Sequence, residues 1–261
     1  MRDLLNDLSD GLSHPDPVRR AQIRMKKPLP KRFYKDVSVG ESEDGYAIEL
    51  DGKPVKTPAR RTLVAPTRAL AQLLSAEWQR QAEVIDPATM PVTRLVNTAL
   101  DGVAADLQAV FEDILRFSSS DLLCYRADSP ERLVERQAER WDPVIDWAAQ
   151  DLGARFILAE GVMHQEQPRE ATAAFAVTLR KYDTALELAC LHTVTTLTGS
   201  AILALAFAEG RLPLAEVWSL AHIDEDWTIE HWGSDAEAEQ RRADRFAEFQ
   251  AATEVFSALR S

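Results

Sequence analysis

The residues best suited to chemistry lie toward the C-terminal end, where His222 and His231 flank Asp224, Glu225, Asp226 and Glu230. Imidazoles with carboxylates make a hydrolytic metal site, and His222, Asp226 and His231 are the trio that would carry it. Their spacing departs from the four-residue step of a helical zinc pair, so the same residues also read as a solvated acidic turn, and no metal is assigned. Ser118, Ser119 and Ser120 precede Asp121, but no G-x-S-x-G elbow surrounds them and no base stands beside them. A serine N-cap with Asp121 opening the next turn accounts for that run. His192 falls in an apolar stretch, as a hydrogen-bonded core histidine would. None of the 10 glycines has the spacing of a phosphate-cradling loop, and acid pairs such as Asp142 with Asp146 carry no signal among 42 acids. Catalytic residues and cofactors are therefore expected to be absent.

Charge narrows the partners. A formal net charge of −12 argues against nucleic acid, whose binding needs clustered Lys and Arg. The sign is uneven: residues 1–35 hold nine Lys or Arg against four Asp, whereas residues 205–261 hold twelve acids against five Arg. Cys124 and Cys190 sit in apolar settings, which fits reduced core thiols. The opening MRDLLNDLSDGL resembles neither a secretory signal nor an acid-poor transit peptide, so a bacterial cytoplasm is the expected compartment. Residues 199–208 (GSAILALAFA) are about half the length needed to cross a bilayer, which points to a buried helix and no membrane insertion.

The elements that would position these residues follow from periodicity. Residues 1–30 hold four prolines and little periodicity beyond Leu4, Leu5, Leu8 and Leu12, which reads as a mobile arm with at most a short amphipathic helix. Residues 33–64 alternate in short runs, and Asp51-Gly52 between them is a hairpin signal. A helix is expected from Thr67, as N-cap, to Glu83, with Leu70, Leu73, Leu74 and Trp78 on one face. Pro87 and Pro91 then break the chain and start a second helix bearing Val92, Leu95, Val96 and Ala99. From residue 105 onward the pattern is helical: Ala105–Phe117, Pro130–Trp147, a helix from Pro168 toward Leu186, Cys190–Phe207, Leu214–Thr228 and Asp235–Leu259. The fold class is thus α+β, a small N-terminal antiparallel sheet with a packed helix followed by an all-α bundle. The expected divisions are an arm at 1–30, an α+β domain at 31–104 and a helical domain at 105–261. Trp78, Asn97 and Asp101, with Gln81, stand out within Glu77–Gly102 as polar or aromatic members that would fix the domain junction through buried hydrogen bonds.

Several blocks carry a family resemblance. They are Lys31–Lys35 (KRFYK), Tyr46–Pro58 (YAIELDGKPVKTP), Glu77-Trp78-Gln79, Ile85–Pro87, Met90–Asp101 (MPVTRLVNTALD), Asp121–Arg126 (DLLCYR), Gln137 and Trp141–Pro143, with Trp232-Gly233 and Asp235 more weakly. In order and spacing, from about residue 31 to 240, this chain resembles the α-subunit-specific assembly chaperones of the ATP synthase catalytic sector, known in mitochondria as F1 complex assembly factor 2. The resemblance implies an ATP-independent chaperone that binds the free α subunit of the F1-ATPase and masks the face later covered by the β subunit. It also implies a monomer when free, and a mitochondrial matrix location for eukaryotic relatives.

Six tryptophans, three of them between Trp218 and Trp232, suit an interaction surface. Trp227 and Trp232 lie among charges and are expected at the surface. With the resemblance, partner contacts are expected at Trp227, Trp232, Asp235, Glu237 and Glu239. The rival reading is a metal-dependent hydrolase built on His222, Asp226 and His231.

Overall fold

The computed structural model describes residues 28–161 and 165–261, which form two compact units. One runs up to Ala105 and takes in Ser257–Ser261; the other is Asp106–Phe256. The arm expected over residues 1–30 lies outside the described residues except at its last three, and there Pro30 is anchored, its carbonyl accepting from Ile85 N at 2.8 Å.

The first unit is the expected α+β layer. Strands β1 (Val37–Ser42) and β2 (Gly45–Leu50) pair antiparallel with Val37 opposite Leu50. The two-residue strands β3 (Lys53–Pro54) and β4 (Val64–Ala65) both join β2. Asp51 and Gly52 turn the chain between β2 and β3 with φ of 49° and 73°, the double positive φ that a type I′ turn demands. Helix α1 (Arg68–Arg80) starts on Thr67, whose side chain accepts from Leu70 N, and buries Leu70, Ala71, Leu74 and Trp78. They share a core with Ile48, Leu63 and Ala65, none of which is exposed at all. Each large side chain so buried contributes about 1.5–3 kcal/mol.

Helix α1 stops at Arg80 rather than Glu83 because Gln81 turns extended and spends its side chain on the turn. Its amide donates to Glu77 O and Thr89 Oγ1, and its oxygen accepts from Asp86 N. Helix α2 (Pro91–Asp101) then begins on proline, where the missing N–H costs nothing. Its first free amides are taken by Glu77, a buried carboxylate of α1 that accepts from Val92 N and Thr93 N at 2.7 Å each. At the other end Asp101 accepts from Thr57 Oγ1 at 2.7 Å and Ala59 N at 2.9 Å, tying α2 to the loop before β4. Trp78 uses its carbonyl, which accepts from Tyr34 Oη at 2.6 Å. These bonds all lie inside the first unit. The buried hydrogen bond expected of Asn97 is missing on its oxygen side, since Oδ1 is enclosed without a donor.

The second unit is helical: α3 (Leu107–Ser118), α4 (Glu131–Asp151), α5 (Arg169–Leu179), α6 (Ala185–Thr198), α7 (Ala201–Ala208), α8 (Leu214–Ala221), α9 (Ile223–Trp232) and most of α10 (Ala236–Ala258). Two short strands, β5 (Tyr125–Arg126) and β6 (Ala159–Glu160), add a parallel pair. Ser257–Ser261 belong instead to the first unit, where Thr67 Oγ1 donates to Ala258 O at 2.6 Å. Two expected helices are each broken in two. The run Cys190–Phe207 is interrupted by Gly199, left-handed at φ 69°, and by Ser200, whose side chain accepts from Leu203 N to start α7. The run Leu214–Thr228 breaks at His222, which closes α8 and opens α9. Helix α7 is buried on nearly every side, and no described helix is long and apolar enough to cross a membrane.

Candidate functional site

All of the residues predicted to act lie on α9, α10 and the elbow between them, in the second unit. Helix α9 carries acids through its first turn, where Asp224, Glu225 and Asp226 face the positive end of the helix dipole. These acids thus belong to a helix, as the expected run Leu214–Thr228 has it, rather than to a solvated turn, and Asp224, Asp226 and Glu230 have partners. Asp224 accepts from Gln137 Nε2 of α4 at 2.7 Å, and Asp226 pairs with Arg242 of α10 at 2.6 Å. Glu230 takes both terminal nitrogens of Arg136 from α4, at 2.9 and 2.8 Å. That guanidinium holds the Glu230 carboxyl below its usual range.

The hydrolase trio does not assemble. Asp226 is committed to Arg242. His231 donates Nδ1–H to Trp227 O at 2.8 Å and stacks on the Trp227 ring at 4.1 Å between centroids. His222 is buried and donates Nδ1–H to Trp218 O; its enclosure pushes its pKa down, and its Nε2 faces Glu225 at 3.8 Å without a hydrogen bond. No group of three or more His, Cys, Asp or Glu side chains suited to a metal occurs among the described residues. The hydrolase reading is corrected on those grounds.

The other candidate nucleophiles are also committed to structure. Ser118 and Ser119 donate to carbonyls of their own helix, at Leu115 and Arg116, so they end α3 instead of capping a new one. The cap is Asp121, fully buried, which accepts from Leu123 N and, across the fold, from Ile202 N at the start of α7. Burial pushes the Cys124 and Cys190 thiols up, out of nucleophilic range. His192 is half-buried rather than in the core, and it bonds Asp113 at 2.7 Å.

The two tryptophans expected at the surface separate. Trp227 is only 7 % exposed, which corrects the expectation: one helical turn from Glu230 it turns inward, with the Arg136 guanidinium 4.9 Å above its ring. The indole is covered by Arg136 of α4 and by the stacked His231 ring. Trp232, the last residue of α9, is 76 % exposed. Gly233, at φ 79°, then turns the chain into α10. Asp235 Oδ1 accepts from Ala238 N at 2.8 Å, an N-cap bond; Glu239 accepts from the Ser234 hydroxyl; Glu237 pairs with Arg241 at 2.6 Å in a surface bridge of little energetic weight. The elbow thus presents one bare indole beside an acidic helix start.

Beside it an open cleft of about 600 Å³ runs between α4 and α9, lined by Arg132, Glu135, Arg136 and Glu139 opposite Trp227, Glu230 and His231. Sequence reasoning missed Arg136, the residue that orders this wall. Its four-residue step between Arg132 and Arg140 was the available signal, but a basic stripe on a long helix does not reveal which acids it meets.

Comparison with known proteins agrees over nearly the whole chain. The family model described as "ATP12 chaperone protein" matches residues 31–149. The crystal structure of Atp12 from Paracoccus denitrificans is 39 % identical, covering 88 % of this chain and 98 % of its own with a TM-score of 0.81. That of the Atu1473 protein of Agrobacterium tumefaciens is 68 % identical, covering 99 % and 97 % with a TM-score of 0.88. The mitochondrial protein atp12 of Schizosaccharomyces pombe is 22 % identical over 227 residues, which are 82 % of this chain and 78 % of that one.

Proposed function

The chain belongs to the ATP12 chaperone family, and from that membership we propose that it binds the free α subunit of the F1-ATPase, keeps it from aggregating and yields it during assembly of the ATP synthase catalytic sector. The family is one of chaperones, not of enzymes. A ring subunit without its neighbours exposes a large apolar face. A binder of moderate affinity lowers the free concentration of that face until the β subunit, the permanent neighbour, displaces it. We place this exchange in the bacterial cytoplasm and take the free chaperone to be a monomer.

The observation that carries the reading is Trp232, a tryptophan 76 % exposed at a helix end and followed at once by Asp235, Glu237 and Glu239. An exposed indole is the side chain that most often becomes an interface anchor, and the acids around it would steer a basic patch of the partner. The contact surface is thus proposed as Trp232, Asp235, Glu237 and Glu239, with Trp227 supporting α9 from beneath.

The test is capture of the α subunit by purified protein, read by pull-down with mass spectrometry. Trp232→Ala, and Glu237→Lys combined with Glu239→Lys, are each expected to lower capture by about tenfold or more. The melting temperature should drop by no more than about 4 °C, because the lost helix-terminus charges contribute only fractions of a kcal/mol each. Undiminished capture by both variants would move the contact elsewhere, and a different principal partner from lysate would overturn the reading itself.

A further inference from the structure

The sheet of the first unit ends in a strand that is bonded on one side only. Strand β2 lies inside the sheet, and Ile48 shows which way its backbone points. Ile48 N donates to Leu63 O at 3.4 Å and Ile48 O accepts from Val55 N at 2.8 Å, both on the side of β3 and β4. Successive residues of a strand turn their backbone groups to opposite edges, so Ala47 and Glu49 face β1. Their partners in register are Gly40 and Ser38. It follows that Val37, Val39 and Glu41 direct their N–H and C=O groups away from β2, and those groups have no partner among the described residues. Neither a proline nor a bulge protects this edge, as edge strands usually require.

The side chains around the edge define what it accepts. Val37 and Val39 stand opposite Leu50 and Ile48, on the side of the sheet where α1 packs, and both are only half-buried. Apolar side chains on a neighbouring strand would complete their cover. The open side of the sheet is acidic. There the Glu49 carboxylate lies over Gly40, so close that a Cβ at Gly40 would stand 2.6 Å from Oε1, and it accepts from Ser38 Oγ at 3.2 Å. Glu41, Glu43 and Asp44 add three acids at the hairpin end. None of these four carboxylates is paired with a cation among the described residues. A strand that suits both sides alternates apolar residues with Lys or Arg. A second copy of the chain does not suit, since β1 carries only Glu41 as a charge and two chains of net charge −12 repel.

We infer that the outer edge of β1 takes up an extended segment of a partner protein, alternating in apolar and basic residues, as an added antiparallel strand. Main-chain bonds to Val37, Val39 and Glu41 supply the affinity, and Glu49 supplies the preference for cations. The edge belongs to the first unit and the Trp232 surface to the second, so the inference does not depend on which protein the client is.

The test uses the full chain and two acetylated peptides, Lys-Val-Lys-Val-Lys-Val and Glu-Val-Glu-Val-Glu-Val, with amide hydrogen exchange followed residue by residue by NMR. The basic peptide, at about ten times its Kd, should slow exchange at Val37, Val39 and Glu41 about tenfold, while Ser38 and Gly40, already bonded to β2, change little. The acidic peptide should bind about tenfold more weakly or not at all. Val39→Pro removes only an outward N–H, so it should leave the circular dichroism melt unchanged and weaken the basic peptide about tenfold or more. Glu49→Lys, which alters no backbone group, should remove the preference between the two peptides. A basic peptide that leaves the three outward amides unprotected, or that binds no better than the acidic one, would overturn the inference. Protection of those amides before any peptide is added would overturn it as well, because the chain itself would then fill the edge.

Discussion

Two buried carboxylates show how single side chains hold this fold. Glu77 closes the start of α2 by accepting two backbone amides, and its enclosure raises its pKa. Glu77→Ala leaves both amides buried without acceptors, so a loss of about 3 kcal/mol is expected in urea unfolding. A loss under about 1 kcal/mol would show that water replaces the carboxylate. Asp121 is enclosed more completely, and desolvation pushes its pKa up to about 6 despite the amides it accepts from. An acid whose pKa is higher in the folded state stabilises below its unfolded value near 4, and that contribution is lost as pH rises through about 6. The expected loss is about 2 kcal/mol between pH 4 and pH 6.5. Urea midpoints across that range should flatten in Asp121→Asn, and an equal slope in the variant would assign the effect to other groups. Neither role was readable beforehand: Glu77 looked like part of a sequence block and Asp121 like the opening of the turn after a serine cap. Their partners lie fifteen and eighty-one residues away.

Among the elements, those with a clear period or a turn signal are where the pattern puts them. Alternation with Asp51-Gly52 placed β2 and β3, and Thr67 and Pro91 placed the starts of α1 and α2. The breaks that were missed fall where periodicity vanishes. Helix α7 is apolar on nearly every side, and in α6 the threonines are shared between the buried and the open side, so no clean stripe exists whose interruption could mark their boundary. The local signal was there in Gly199-Ser200, a left-handed helix stop followed by an N-cap. Gly199→Ala is expected to cost about 1–2 kcal/mol from the positive φ alone, since the new Cβ would meet only Leu122 Cβ at an ordinary 3.8 Å. A melting temperature unchanged within about 1 °C would show that the chain relaxes around it. The break at His222 had no comparable signal, being fixed by a ring that bonds back to Trp218.

For the molecule as a whole, the committed side chains on α9 predict that nothing depends on a bound metal. Exhaustive dialysis against a chelator should leave the melting temperature unchanged within about 1 °C; a larger drop would reveal a stabilising ion. The acidic pole also predicts that association with the proposed client slows at higher ionic strength, most steeply below about 0.15 M salt, where stopped-flow rates can follow it. The sequence by itself determined the α+β-then-helical order, the unpaired buried cysteines and the family, because periodicity, turn chemistry and ordered blocks are local along the chain. Only the tertiary structure decided that Trp227 is covered while Trp232 is bare, that Asp224, Asp226 and Glu230 of α9 are held by Gln137, Arg242 and Arg136, and that Phe33 stands open. Exposure and pairing depend on which distant side chains arrive at the same place, and no spacing within one helix records that.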